Sequence, residues 1–262
     1  MNKSISLTFD LEEFLLPTDF GKKVESKKMF QVSYKGSEEI KKILRNFNVK
    51  ATFFVTENFA LNFPQIVREF AKEGHEIALH AMNFWDLKLL AKEKKTIESI
   101  CKNKVVGIRT HKLRPPSFAI LKRIGFEYDN SLHPTYVPGR YNNLACPTKP
   151  VIINGILEIP TSVTPFLRLP FSFLWFRNFG LNYAKICTLI TLKGQPFVNL
   201  YFHAWEFVDL KPFDLPFYVT KNTGKVMSKL LEKYIEWCLH KNFKFDSLQN
   251  CIKFINLFEL RK

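Results

Sequence analysis

The chain has 262 residues, of which 46% are hydrophobic, a share typical of a globular protein and unlike that of a disordered or collagen-like chain. Lys and Arg total 39 and Asp and Glu total 24, so the formal net charge is +15. This charge either favours an anionic partner, such as a membrane surface, an acidic glycan or nucleic acid, or is spread over solvated helix faces. No apolar run reaches the roughly 18–20 residues that a transmembrane helix needs.

The cysteines and the first residues of the chain indicate the cellular compartment in which the protein is expected to work. Five widely spaced cysteines without a C-x-x-C pair favour a reducing compartment over a disulfide framework or a structural zinc site. The opening stretch MNKSISLTFDLEEF has acidic residues where a signal peptide has its apolar segment. We therefore expect a cytoplasmic protein without a signal peptide, with membrane association left open.

Short strand-like runs alternate with helix-like runs in the first half of the chain. Apolar alternation and short buried apolar runs predict strands at residues 4–10, 51–55, 76–80, 105–109 and 126–128. Capping residues and apolar spacing predict helices beginning at Ser37, running from Pro64 to Gly74, covering 90–102, and running from Ser117 to Gly125. A long polar loop is expected before Ser37.

The second half contains two segments without a clear period. Residues 133–155 are rich in Pro, Gly and Asn and are expected to form a loop. Residues 163–181 are aromatic and broken by prolines. The remaining elements are strands at 157–160, 197–203 and 243–245, and helices at 183–192, 226–239 and 248–257.

Alternation of strands and helices along the whole chain predicts an α/β fold with a mostly parallel sheet and crossover helices. No composition break or internal repeat divides the chain, so residues 1–262 are expected to form one domain. About seven short parallel strands suit a closed barrel better than an open sheet, although spacing alone does not decide between them. In a barrel, the carboxyl ends of the strands carry the active site.

Polar side chains stand at or just after several predicted strand ends. They are Asp10 and Glu12, His80, Arg109, and His203 with Glu206. Asp10 and Glu12 are two residues apart and therefore point to the same side of an extended segment. Such a set resembles a hydrolytic site, in which one group binds metal, one accepts a proton and one donates a proton. Taken singly, each residue has a structural alternative, as a hydrogen-bonded core histidine or a paired arginine, so the hypothesis depends on the whole set.

Seven motifs occur in the order, and at about the spacing, seen in polysaccharide deacetylases, the chitin-deacetylase-like carbohydrate esterases. They are TFDLEEF (8–14), ATFFV (51–55), EGHEIALH (73–80), GIRTHKLRPPSF (107–118), GFEYDNSL (125–132), LEIP (157–160) and NLYFHAWEF (199–207). The chain resembles this family from about residue 5 to residue 207. The resemblance implies a distorted (β/α) barrel and an enzyme that removes acetyl groups from N-acetylated sugars with a divalent metal, usually zinc.

The resemblance also implies roles for individual residues. Asp10 matches the catalytic base of the T-F-D motif, and Arg109 matches the arginine of the R-x-P motif that holds this base. His203 matches the histidine that protonates the leaving amine, and Trp205 in the same motif is assigned to substrate binding. Ala204 replaces the proline that usually follows this histidine.

The metal motif departs from the family pattern. Glu12 falls where some members place a metal-binding acid, one residue beyond the usual D-D pair, and His80 matches the first histidine of H-x-x-x-H. The second histidine of that motif is replaced by Phe84, which cannot bind metal. Since catalytic zinc usually has three protein ligands, His111 or Asn83 is the candidate third ligand.

Three interpretations stay open at this point. The first is a deacetylase with an altered metal site, acting on N-acylated sugars of a polysaccharide or lipid-linked glycan in cell-surface polysaccharide metabolism. The second is a catalytically impaired relative that binds glycan without cleaving it. The third concerns residues 163–181, which predict either a flap that touches a membrane or a core segment under a loop. No motif supports nucleic-acid binding, so nucleic acid is not expected as a partner.

Overall fold

The computed structural model describes residues 3–114 and 117–253. In the first half the elements are β1 Ser4–Leu11, α1 Ser26–Phe47, β2 Thr52–Val55, α2 Glu57–Asn62, α3 Pro64–Lys72, β3 Glu76–Ala81, α4 Leu87–Cys101, β4 Gly107–Thr110, α5 Phe118–Ile124 and β5 Tyr128–Asp129. The second half contains β6 Tyr136–Val137, β7 Tyr141–Asn142, β8 Val151–Ile153, β9 Ile156–Glu158, α6 Phe173–Gly194, β10 Phe197–His203, α7 Phe217–Thr220, α8 Lys225–His240, β11 Lys244–Phe245 and α9 Leu248–Lys253. The predicted helix at 248–257 extends beyond the described residues.

Seven strands lie side by side in one curled parallel sheet in the order β10-β1-β2-β3-β4-β5-β9; β8 pairs antiparallel with β9 at the edge, and β11 pairs parallel with the start of β1. This half-barrel confirms the predicted α/β fold. The strands at the two ends of this parallel order, β10 and β9, are not paired with each other, and the contact between these ends is made through Ser162, which follows β9, and Asn199 in β10. There, Ser162 N donates to the Asn199 carbonyl and Asn199 N donates to Ser162 Oγ, both at 2.9 Å.

Strand β1 separates two layers of side chains, the hydrophobic core on one face of the sheet and the barrel interior on the other. Its residues Ile5, Leu7 and Phe9 pack in the hydrophobic core between sheet and helices. Because successive strand residues alternate between faces, Thr8 and Asp10 point into the barrel. The carboxyl end of β1 therefore delivers a buried carboxylate to the interior.

The amino ends of the strands are closed by the start of α9. Leu248 N donates to Thr52 Oγ1 at 2.8 Å, and Gln249 N donates to Glu76 Oε2 at 3.0 Å. Burial raises the pKa of Glu76, although hydrogen bonds from Gln249, Thr52 and Tyr128 oppose this shift. Glu76 is thus a structural acid at the closed end of the barrel, and the opposite end is open to solvent.

Helix α1 begins at Ser26 and not near Ser37, so the predicted loop before Ser37 was wrong in its second half. The extra turns bury small residues, among them Ser33 and Gly36. A Cβ at Gly36 would lie 1.8 Å from the carbonyl oxygen of Ala204, so the helix backbone packs directly on the segment after β10. A helix face made of small residues carries little hydrophobic signal in the sequence.

The two segments without a clear period also differ from expectation. Residues 133–155 contain the β6–β7 hairpin and β8. Helix α6 starts at Phe173, within the proline-broken segment, and is interrupted at Gly180, where φ is 81°. No helix in the described ranges is both long and apolar enough to cross a bilayer.

Candidate active site

A cleft opens at the carboxyl ends of the parallel strands. Its lining includes Asp10, Glu12, His80, His111, His203 and Trp205. These residues come from β1, β3 and β10 and from the turns that follow β1, β4 and β10. Parallel pairing aligns Asp10 with His203 and His80 with Arg109, which brings residues from both ends of the chain to one place.

Asp10 is held by Arg109 beneath the cleft. Arg109 Nη1 donates to Asp10 Oδ1 at 2.6 Å, and both side chains are buried. Arg109 Nη2 donates to Thr8 Oγ1 at 2.7 Å and to the side-chain oxygen of Asn130. The guanidinium lies 4.1 Å from the ring centre of Phe54. These contacts fix the carboxylate and leave Oδ2 facing the cleft.

Glu12, His80 and His111 bring three ligand atoms within 4.8 Å of one another. Glu12 Oε2 lies 3.1 Å from His80 Nε2 and 3.2 Å from His111 Nδ1. His80 Nδ1 lies 3.1 Å from the Arg109 carbonyl oxygen. A proton on Nδ1 that is donated to this carbonyl leaves the lone pair of Nε2 pointing at Glu12, which is the orientation of a metal-binding histidine.

The electrostatics of this trio favour a bound positive charge. Burial opposes ionisation of Glu12, but hydrogen bonds with His111 and His80 hold the pKa of its carboxyl well below the usual value. Burial also lowers the pKa of His80, yet Asp10 and Glu12 outweigh that effect and raise it above the ordinary value. The trio therefore attracts either a proton or a metal cation.

His203 is held from the side opposite the cleft. Glu206 Oε1 accepts from His203 N at 2.8 Å and lies 3.3 Å from His203 Nδ1. Arg177 Nε donates to Glu206 Oε2 at 2.9 Å, and this ion pair is completely buried. Sequence reasoning noted Glu206 beside His203 but missed Arg177. The only signal for Arg177 was its place, with Arg168, in an aromatic and apolar run.

Two aromatic rings complete the setting of His203. Trp205 stacks on the imidazole with ring centres 4.5 Å apart, and Phe173 meets it edge-on at 4.6 Å. Trp205 Nε1 also donates to Glu12 Oε1 at 3.4 Å. Trp205 lies in the cleft wall but is almost fully buried, so its contact with substrate stays a prediction.

The structure brings only one of the two candidate third ligands to the trio. His111 follows β4 and contacts Glu12. Asn83 is exposed, and its side-chain oxygen accepts from Trp85 N at 3.4 Å. Phe84 is buried in the main hydrophobic core, and neither residue 83 nor residue 84 lines the cleft.

The cleft mouth carries an ion-pair group that sequence reasoning did not predict. Asp19 lies 2.9 Å from Lys112 Nζ and 3.7 Å from Arg140 Nη2, and all three residues line the cleft. They come from three separate loops, so no local pattern in the sequence predicts that they lie close together.

Comparison of sequences relates this chain to known proteins. Residues 2–129 match the family model described as polysaccharide deacetylase. An uncharacterised protein of Bacillus subtilis is 34% identical over 98 residues, covering 34% of this chain and 30% of that protein. A chitooligosaccharide deacetylase of Bradyrhizobium sp. strain ANU 289 is 42% identical over 45 residues, covering 17% of this chain and 20% of that protein. The matches span less than a third of either relative's length.

Solved structures share the fold over nearly the whole chain. A protein of Mycobacterium smegmatis described as a polysaccharide deacetylase has a TM-score of 0.65 at 19% identity, covering 99% of this chain and 93% of its own. A pseudoenzyme of carbohydrate esterase family 4 from Bacillus anthracis has a TM-score of 0.54 at 11% identity, covering 95% of this chain and 65% of its own. Residues 2–129 thus match the polysaccharide deacetylase family model, and nearly the whole chain shares the fold of a solved structure described as a polysaccharide deacetylase.

Proposed function

We propose that this protein is a metal-dependent hydrolase that removes acyl groups, acetyl above all, from N-acylated sugars of a polysaccharide or lipid-linked glycan. The observation that carries the proposal is the spacing of two groups that transfer protons. His203 Nε2 lies 3.8 Å from Asp10 Oδ2 and 4.0 Å from Glu12 Oε1. A base and an acid thus face the same small space beside Glu12, His80 and His111.

The donor set fits a divalent metal. One carboxylate and two imidazoles form the three-ligand group typical of catalytic zinc, which keeps a further position open. Glu12, His80 and His111 are the residues that would hold it. A bound divalent cation lowers the pKa of water and polarises a carbonyl oxygen.

The chain's own residues account for the proton transfers. Asp10 Oδ2 accepts a proton as water adds to the acyl carbonyl, and Arg109 keeps this carboxylate in place throughout. His203 Nε2 then gives a proton to the sugar nitrogen as the C–N bond breaks, which releases the carboxylic acid and the free amine. Glu206 holds the imidazole so that Nε2 points into the cleft.

A second candidate is a glycan-binding relative without catalysis. It is favoured by Phe84, which removes one histidine of the usual metal motif, and by the likeness in fold to a pseudoenzyme. In this case the cleft would bind oligosaccharide without releasing acetate.

Acetate release from N-acetylated chitooligosaccharides, measured after dialysis against Zn²⁺, Co²⁺ or Ni²⁺, tests both candidates. We expect metal-dependent release that falls by about 10²–10⁴-fold in Asp10→Asn. Asp214→Asn, at an exposed carboxylate paired with Lys22, is the matched control and should keep full activity. Oligosaccharide binding without acetate release under every metal condition would favour the binding protein and contradict the enzyme.

A further inference from the structure

Two neighbouring loops expose several large apolar side chains. We call this surface the apolar rim. It comprises Phe166, 95% exposed, Leu167, 77%, Tyr136, 53%, Leu144, 45%, and Leu169, 40%. Large exposed apolar patches on a folded protein mark sites of contact with a partner or a membrane.

Residues 163–170 form a small fixed turn with the most exposed side chains at its tip. An antiparallel bridge joins Val163 to Pro170. Inside it, Thr164 N donates to the Leu169 carbonyl and Arg168 N donates to the Thr164 carbonyl, each at 3.1 Å. Phe166 and Leu167 therefore project from an ordered backbone, while Val163 and Phe171 on either side are buried.

The turn is fastened to the loop that carries the rest of the apolar rim. Arg168 Nη1 donates to the Cys146 carbonyl at 2.6 Å, and Thr135 Oγ1 donates to the Arg168 carbonyl at 2.8 Å. The same loop supplies Arg140 and Tyr141 to the cleft lining. The apolar rim is thus attached to the wall of the candidate active site.

Within residues 130–205, the stretch that carries the apolar rim, no exposed side chain is acidic, although Asp19 from another loop pairs with Arg140 at the cleft. Between Asp129 and Glu206 the only acidic residue in the sequence is Glu158, and its side chain is completely buried. The same stretch contains six basic residues: Arg140, Lys149, Arg168, Arg177, Lys185 and Lys193. Lys149 is exposed, and the Arg140 side chain is half exposed. Arg177 is completely buried with Glu206, but every exposed charged side chain in this stretch is basic, and an apolar tip on such a stretch complements an anionic surface.

We propose that the apolar rim docks this protein on a lipid bilayer that contains anionic lipids. Aromatic and leucine side chains at a loop tip enter the interface between headgroups and acyl chains, and neighbouring basic residues are attracted to anionic headgroups. The docking itself does not depend on the proposed function. Its consequence does, because a docked protein holds the cleft at the membrane, where a lipid-linked N-acylated glycan would be the substrate.

Flotation with vesicles tests the docking directly. The unaltered chain should float with vesicles of phosphatidylcholine containing about a third phosphatidylglycerol, and at least tenfold less with phosphatidylcholine alone. Phe166→Ser with Leu167→Ser should reduce binding at least tenfold. Leu61→Ser is the matched control and should not alter binding. Leu61 is also exposed, by 56%, but it lies on α2, which follows β2, whereas the apolar rim lies after β5, three strands away in the sheet.

A spectroscopic readout keeps the test independent of any loss of folding. Trp fluorescence in Phe166→Trp should shift to the blue when anionic vesicles are added, whereas Leu61→Trp should not shift. Asp10→Asn should float as the unaltered chain does, so a failure of the proposed catalysis leaves this measurement intact. Equal flotation of the unaltered chain and the double variant would overturn the proposal. The proposal would also be overturned if the unaltered chain bound no vesicles but self-associated, and the double variant lost this self-association. The apolar rim would then contact a second copy of the chain.

Discussion

Asp10 and His203 lie side by side in register on β1 and β10, with Oδ2 and Nε2 3.8 Å apart, although their strands stand near opposite ends of the sequence. Arg109 supports one from below, and Glu206 with Arg177 supports the other from behind. The candidate base and acid are therefore each oriented by a separate buried ion pair or hydrogen bond. Perturbing one support should leave the other in place, which makes their roles separable by mutation.

His111→Ala should lower the affinity for Zn²⁺ by more than about 100-fold, since loss of an outer partner alone typically costs about 10–100-fold. The reason is the contact of His111 Nδ1 with Glu12, which makes it the third donor of the trio. Asn83→Ala is the matched control, because Asn83 lies outside the cleft. Titration against a competing chelator measures both affinities. Equal affinities in the two variants would remove His111 from the ligand set.

Phe84→His should not increase metal affinity, even though it recreates the usual H-x-x-x-H spacing. Phe84 is buried in the main hydrophobic core, so the variant places a polar ring there and lowers the free energy of unfolding by about 3 kcal/mol. Urea unfolding and chelator competition check the two parts. A gain in Zn²⁺ affinity would show that residue 84 reaches the cleft.

Arg177→Met should destabilise the fold by about 3–5 kcal/mol, because it leaves Glu206 buried without its partner. Glu206→Gln added to Arg177→Met should recover part of this loss, since no uncompensated charge then stays buried. Glu206→Gln alone should lower kcat and alter its pH profile with unchanged zinc content, because Glu206 orients His203. A pH profile identical to that of the unaltered chain would limit Glu206 to a structural role.

Stability should fall on acidification through His75. Burial, with repulsion from Lys50, lowers the pKa of His75 from 6.5 to about 4. The unfolded chain therefore binds more protons between pH 6.5 and 4, and the free energy of unfolding decreases as pH falls through this window. The contribution of His75 approaches about 1.4 kcal/mol per pH unit. Urea unfolding at pH 7 and pH 5 should show a smaller pH dependence for His75→Gln, and an unchanged dependence would contradict the assignment.

Gly36→Ala should destabilise the protein, against the usual gain of about 0.5–1 kcal/mol for this change inside a helix. The added Cβ would overlap the Ala204 carbonyl, so α1 must shift, at a cost of about 1–3 kcal/mol. Gly194→Ala is the control, because nothing lies within 4 Å of its added Cβ. Thermal unfolding of both variants gives the comparison, and a stabilised Gly36→Ala would show that the helix is not in close contact with Ala204.

The sequence predicted much of the sheet and the main members of the cleft. The strand at 197–203 has the predicted bounds, and Asp10, His80 and Arg109 meet as expected. This succeeded because parallel strands bring their carboxyl ends to one edge, whatever the distance between them in sequence. Periodicity and strand-end position were therefore sufficient to group these residues.

Other features depend on contacts that no local pattern records. The first turns of α1 bury Ser33 and Gly36 against the segment after β10, so their fit is a matter of shape and not of hydrophobicity. Arg177 is an isolated cation until Glu206 is brought to it across the fold. Likewise, Phe166 and Phe171 look alike in the sequence, yet the Val163–Pro170 turn exposes one and buries the other.

The pairing of β1 with β10 has a consequence for how this protein is made. Strand β1 waits for its neighbour while all the residues between them are synthesised, because β10 begins only at Phe197. Contacts between such distant segments slow folding and leave a bare strand edge in the nascent chain. A fragment that stopped at β5 would lack β10 and keep that edge of β1 unpaired.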